Sequence, residues 1–252
     1  MKCLWKVDQS AFYQADTFQF LGGIPSNSVE AVITDPPYLL SNNGSTCVGG
    51  QRASVNKGDW DTSKGVEADH LFHLAWLGEC YRILQPGGVI WVTGTHHCFF
   101  SFGFAANRVG FQIINTITWE KPNPPPNLGC RCFTHSTELL LFAAKPSKNG
   151  KKYTFNYQEM KEENGGKQMK SVWQFYPPKG WEVKHGKHPA QKPIALITRI
   201  LKASTNPGDR VVDPFAGSST TGIAAIKLGR VYLGCDSNEE AIKLSLKRLN
   251  DL

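Results

Sequence analysis

The stretch "RVVDPFAGSSTTGIAAIKLGRVYLGCDSNEEAIKLSLKRL", residues 210–249, leaves this chain little freedom of fold. A β-branched run ending in Asp213 turns through glycine into a helix, and a second run ending in Asp236 leads into another helix. Strands connected through helices pair in parallel. The same alternation runs upstream. A strand around Phe12–Gln14 precedes the short helix "TFQFLGGI", and "SVEAVITD" is the next strand. In the helix "EADHLFHLAWLGECYRIL", Leu71, Leu74, Leu77, Cys80, Tyr81 and Leu84 share one face, and "QPGG" ends it. "VIWVTG", "FQIINTITW" and "STELLLFAAK" read as strands, "FSFGFAANRVG" and "PIALITRILKAST" as helices. The expected fold is α/β, with a doubly wound, mostly parallel sheet.

Charge is concentrated in one segment. The net +7 equals the excess of 11 lysines over Glu159, Glu162, Glu163 and Glu182 between Lys145 and Lys192. A neutral body with one basic segment suits a polyanion, since lysines there would neutralise phosphates and release counterions. Tyr153, Phe155, Tyr157, Trp173, Phe175, Tyr176 and Trp181 add rings for stacking on bases. Residues 145–187 are therefore expected to form a nucleic-acid-binding insertion between a 1–144 half and a 188–252 half of one domain. A second long connection, 39–64, has no helix or strand period and is placed to act as a lid.

Other features exclude function classes. No run approaches the roughly 18–20 apolar residues of a membrane span, and the first residues lack a secretory apolar region, so a cytoplasmic protein is expected. Seven cysteines without a C-x-x-C pair argue for reduced thiols. "CRCFTH", with Cys130, Cys132 and His135, has poor zinc spacing, and no metal is expected. His96 and His97 read as polar strand-end residues.

Two strings carry chemistry. In "VITDPPYLL" the prolines cannot donate ladder hydrogen bonds, so the strand stops near Asp35, at the sheet edge where α/β proteins bind ligands. "DPFAGSSTTG" is neither G-x-G-x-x-G nor a triphosphate loop. It offers Gly217 for close backbone approach, Asp213 beside it, and Ser218, Ser219 and Thr220 at a helix start. Asp236, about 20 residues on, suits ribose hydroxyls. A nucleoside with a small charged tail and no phosphates fits: S-adenosylmethionine, its carboxylate on helix N–H groups and its ammonium on Asp213.

"DPPY" at 35–38 and "DPFAGSSTTG" at 213–222, with "QADTFQFL", "ITWEKPNPPPNLGCRCFTHSTE", "GKQMKSVW" and "GKHPAQKP", resemble successive blocks of β-group amino DNA methyltransferases. The likeness is strongest to the DpnA-type adenine methylases, which read GATC and accept single-stranded as well as duplex DNA. It implies a class I, Rossmann-like methyltransferase in which the catalytic motif precedes the cofactor motif. By position it implies Asp35, Pro36, Pro37 and Tyr38 as the catalytic set, Asp16 at the cofactor's adenine and Asp236 at its ribose. Phe215, Gly217, Ser218 and Thr220 would line the cofactor loop, Lys192 would close the methionine end, and Phe133 would pack on the target base. Lys167 and Lys170 are expected to meet DNA. The resemblance also implies a homodimer and a cognate restriction enzyme that activity does not require.

The chemistry explains the string. Adenine N6 is a poor nucleophile because its lone pair is delocalised into the ring. If the Asp35 carboxylate and the Pro36 carbonyl each accept one N–H, the lone pair turns toward the methyl donor; Tyr38 offers a face to a flipped base. The alternatives are a GANTC adenine methylase, a cytosine N4-methyltransferase, and a catalytically silent DNA-binding protein.

Overall fold

The computed structural model describes residues 1–41, 45–48, 51–54, 56–147, 150 and 152–252, with the backbone alone for 45–48, 52 and 59. In chain order the elements are β1 (Lys2–Val7), β2 (Ser10–Gln14), α1 (Thr17–Gly22), β3 (Val29–Thr34), β4 (Ser45–Val48) and β5 (Gln51–Ser54). Then come α2 (Val66–Ile83), β6 (Leu84–Gly94), α3 (His96–Val109), β7 (Gln112–Glu120), β8 (Thr137–Ala144), α4 (Tyr157–Glu163) and β9 (Val172–Gln174). The chain ends with α5 (Ile194–Ser204), β10 (Arg210–Asp213), α6 (Thr220–Lys227), β11 (Val231–Asp236) and α7 (Glu239–Leu249).

Nine strands form one sheet in the order β1-β2-β11-β10-β3-β6-β8-β7-β9. The run from β2 to β6 is parallel, and β1, β8 and β7 pair antiparallel. This is the α/β, mostly parallel sheet that the alternation predicts. Period-two burial divides the core. On β3, Val32 joins α1–α3 on one face, whereas Ala31 and Ile33 join α5 and α6 on the other. The chain leaves β10 through α6 toward β11 and leaves β3 through α2 toward β6, on opposite faces and in opposite directions. The crevice between β10 and β3 is thus a topological switch point, where α/β sheets bind ligands.

Three features depart from the sequence expectations. Edge strand β1 was not anticipated: it keeps only Trp5 inside and carries lysines outside, so it lacks a buried run. On α2 the inward face is His73, Trp76, Leu77, Cys80 and Ile83, while Leu71 is 62% exposed, because the stripe is set by the large Trp76. Strands β4 and β5 pair antiparallel where an aperiodic connection is expected; the Gly-Gly between them is a hairpin signal in the sequence. The remainder of the expected lid falls partly on 42–44, 49–50 and 55, outside the described residues.

The basic insertion, apart from 148–149 and 151, joins the body rather than standing apart from it. Strand β9 extends the sheet beside β7, and Trp173 is buried against Trp91 with Arg199 over its ring. Packing therefore consumes Trp173, leaving Phe155, Tyr157, Tyr176 and Trp181 exposed. Two of the lysines are also spent internally: Lys145 donates to the carbonyls of Tyr81 and Leu84, and Lys192 is buried.

Candidate functional site

Four neighbouring parallel strands end in carboxylates. Asp16 follows β2, Asp236 and Asp213 close β11 and β10, and Asp35 follows β3. All four line one cavity of about 260 Å³ at the switch point. The Thr34 hydroxyl donates to Asp213 Oδ1 at 2.8 Å, bridging β3 to β10 across the crevice.

The Asp35 side is tightly organised. Tyr38 OH donates to Asp35 Oδ1 at 2.8 Å, Thr93 Oγ1 donates to the same oxygen, and Lys192 Nζ stands 2.5 Å from Oδ2. Tyr38 OH also lies 3.0 Å from Glu138 Oε2, and Glu138 pairs with Lys121 and, at 3.6 Å, with Lys192. Two lysines thus balance two carboxylates in a largely buried cluster. Burial alone would raise the Glu138 carboxyl, but Lys192 and Lys121 outweigh it and hold it at about 2. The Tyr38 ring is 6% exposed, and its one hydroxyl proton is shared between the Asp35 and Glu138 carboxylates. Lys192 sits on the Asp35 side of the cavity.

The opposite side is shaped for a polar ligand. Gly217 has φ +53, and a Cβ there would come within 3.3 Å of His188 Cε1. Its N–H donates to Asp236 Oδ2 at 2.8 Å, and Asn238 N donates to Oδ1 at 2.8 Å, which fixes that carboxylate while leaving further lone pairs. Asp213 is 2% exposed, and burial pushes its carboxyl up to about 7. Asp16 also caps α1, accepting from Phe18 N at 2.8 Å. Phe215 lies edge-on to Trp76 and Phe72.

A connection closes over this space. Asp61, fully buried, accepts from Leu39 N at 2.8 Å, Leu40 N at 3.3 Å and Ser41 Oγ at 3.0 Å, stapling 57–61 to the chain after D-P-P-Y. That staple sets Trp60 parallel to His188, ring centroids 6.4 Å apart at 24°. Burial lowers the His188 imidazole to about 4, so it stands neutral over Gly217 at neutral pH.

The structure brings Asp16, Asp35, Pro36, Pro37, Tyr38, Lys192, Asp213, Phe215, Gly217, Ser218, Thr220 and Asp236 to the cavity wall. Ser219 is turned away: it is fully buried and its hydroxyl donates to Ser245 Oγ at 2.9 Å. Phe133 is 96% exposed and does not line the cavity; Lys167 and Lys170 also lie outside it. Glu138, Thr93, Trp60, Asp61 and His188 were missed by sequence reasoning. His188 lies in "GKHPAQKP", but nothing in the string marks its ring as a wall. Among the described residues, no group of three His, Cys, Asp or Glu is arranged to hold a metal ion.

The donor set fits S-adenosylmethionine: anchored carboxylates for a nucleoside, hydroxyls at a glycine turn that leaves room for a close approach, and no phosphate cradle. Comparisons with known proteins agree. A family model described as DNA methylase matches residues 29–247. The chain is 48% identical over 248 residues to the type II methyltransferase M2.DpnII of Streptococcus pneumoniae, spanning 98% of this chain and 92% of that protein. It is 46% identical over 249 residues to the type II methyltransferase M2.LlaDCHI of Lactococcus lactis subsp. cremoris, spanning 99% and 92%. The crystal structure of the M1.HpyAVI-SAM complex superimposes with a TM-score of 0.70 at 27% identity, covering 95% of this chain and 98% of that one.

Proposed function

We propose, from the premise that this chain belongs to the DNA methylase family, that it methylates adenine N6 at GATC, with Asp35 and Pro36 as the clamp on the amine. The chain is an S-adenosylmethionine-dependent DNA methyltransferase; the base, the sequence and the residue roles are the proposal. The observation that carries it is the meeting of Asp35 and the 213–220 loop in one cavity.

When bound, S-adenosylmethionine supplies a methyl group on a positively charged sulfur. Asp236 and Asp16 hold the nucleoside, and the loop from Phe215 to Thr220 holds the tail. Asp35, kept rigid by Thr93, Tyr38 and Lys192, accepts one amine N–H, and the Pro36 carbonyl accepts the other. The Tyr38 ring, with the aliphatic part of Pro37, forms a wall for the flipped base, offsetting the few kcal/mol lost on unstacking. Trp60 and His188 exclude water. GATC, and action on single as well as double strands, rest on the resemblance to the DpnA-type methylases. Phe133 is proposed to pack on DNA beside the target. A homodimer, a cognate restriction enzyme and a cytoplasmic location belong to the same proposal; among the described residues, no helix is long and apolar enough to cross a membrane.

The test is incubation with tritiated S-adenosylmethionine and single- or double-stranded oligonucleotides carrying GATC, GANTC or neither, followed by mass spectrometry of the labelled nucleoside. N6-methyladenine confined to GATC supports the reading. N4-methylcytosine, or label independent of GATC, overturns it in the corresponding part. Residues 145–187 are proposed to contact DNA. The double variant Lys167→Glu/Lys170→Glu should therefore weaken binding of all sequences alike and reduce the salt slope by about 2 or more, leaving cofactor affinity unchanged. An unaltered slope in a salt titration places the DNA elsewhere.

A further inference from the structure

Arg248, in the last turn of α7, is 5% exposed, yet among the described residues it has no carboxylate ion-pair partner. Its Nη1 donates instead to the Ser218 carbonyl at 2.6 Å, to Ser218 Oγ at 2.8 Å and to Thr220 Oγ1 at 3.1 Å. Lys192, by contrast, has Asp35 and Glu138 beside it. The buried Glu182 carboxylate, beyond ion-pair distance, offsets part of the cost of burying this cation, but burial outweighs it, so the placement of Arg248 against the loop calls for an explanation. Burial lowers the guanidinium to about 10, which leaves it charged at neutral pH.

Ser218 and Thr220, whose hydroxyls it holds, both line the cavity. Each hydroxyl has one proton and two lone pairs, and Arg248 occupies a lone pair on both. The two oxygens are 3.3 Å apart, close enough to share one proton between them. Whichever donates to the other, one O–H is left over, and a cation behind the loop keeps it from turning back. The loop is thereby made a donor toward the cavity. A donor there matters because Asp16 and Asp236 line the same space and would repel a ligand anion, while Lys192 on the same wall is already paired with Asp35.

We propose that Arg248 is a positioning residue that sets the Ser218–Thr220 loop to receive an anion, and that the anion is the carboxylate of the methionine tail. This rests on the assignment of the cavity to S-adenosylmethionine. It orients the ligand, carboxylate at Ser218 and Thr220, nucleoside toward Asp16 and Asp236.

Equilibrium binding of S-adenosylmethionine and of its decarboxylated form, which lacks only the carboxylate, tests it on the full chain. The wild type should prefer the intact molecule by about tenfold or more. Arg248→Met should weaken the intact ligand about 10- to 100-fold and the decarboxylated one less than about threefold, with Arg248→Lys between. Should the Arg248 variants unfold, Ser218→Ala/Thr220→Val, which keeps the cation and removes the hydroxyls, should lose the same preference. Equal weakening of both ligands, or an unchanged preference, overturns the proposal. Wild-type protein that binds neither ligand overturns the cavity's assignment, and the proposal with it.

Discussion

Asp35→Ala should lose methyl transfer by at least about 10³-fold while binding S-adenosylmethionine within about threefold of wild type, a split between chemistry and binding. Such a fall corresponds to about 4 kcal/mol of lost transition-state stabilisation. Two facts make the split sharp. The cofactor side is carried by Asp236, Gly217 and the 218–220 loop, none of which touches Asp35. Lys192 also keeps Glu138 as a partner, so removing Asp35 does not leave a bare buried ammonium. Single-turnover rates and equilibrium binding measured on one preparation would separate the two quantities. A variant with a tenth or more of the wild-type rate would sink the clamp; a parallel loss of cofactor affinity would make Asp35 a structural residue.

Glu138→Ala should cost about 3–5 kcal/mol of stability, because it strands Lys121 and leaves Lys192 with one carboxylate in a buried space. Turnover should fall about 100-fold as well, since Tyr38 loses one of the two acceptors that share its hydroxyl proton and the clamp loosens. The pH dependence distinguishes this from generic damage. The folded Glu138 carboxyl sits at about 2, below its ordinary value near 4.3, so its stabilising charge is fully present above about pH 4.3 and lost as pH falls toward 2. The stability gap between wild type and variant, read from urea unfolding, should close over that range. A gap that stays constant from pH 6 down to the acid limit of folding would show that packing, not charge, is what the substitution removes.

Local chemistry explains what was legible. A β-branched run that meets proline must stop, and the acid at the stop lies at a sheet edge; this rule locates Asp35 and Asp213, while Asp236 is marked by the Asn238 that caps the helix after its strand. The edge strand β1 escaped because a strand buried at one tryptophan has no period to read. The leucine spacing of α2 does not mark its inward face, because Trp76 and His73 are what the neighbouring helix covers. The aromatic residues of 145–187 looked equivalent as letters, and only the pairing of β9 with β7 removed Trp173 from the surface.

Sequence alone therefore determined the fold class, the strand-end acids, the cofactor chemistry and the order of the two motifs, because each follows from residues within a few positions of one another. The tertiary structure decided what surrounds them. Glu138 meets Tyr38 from 100 residues away, Lys192 meets Asp35 from 157, and Arg248 meets Ser218 from 30. A carboxylate in a string has the same letter whether it faces water, a lysine or a ring. Its charge state and its aim are set by partners that only the folded sheet brings within hydrogen-bond reach.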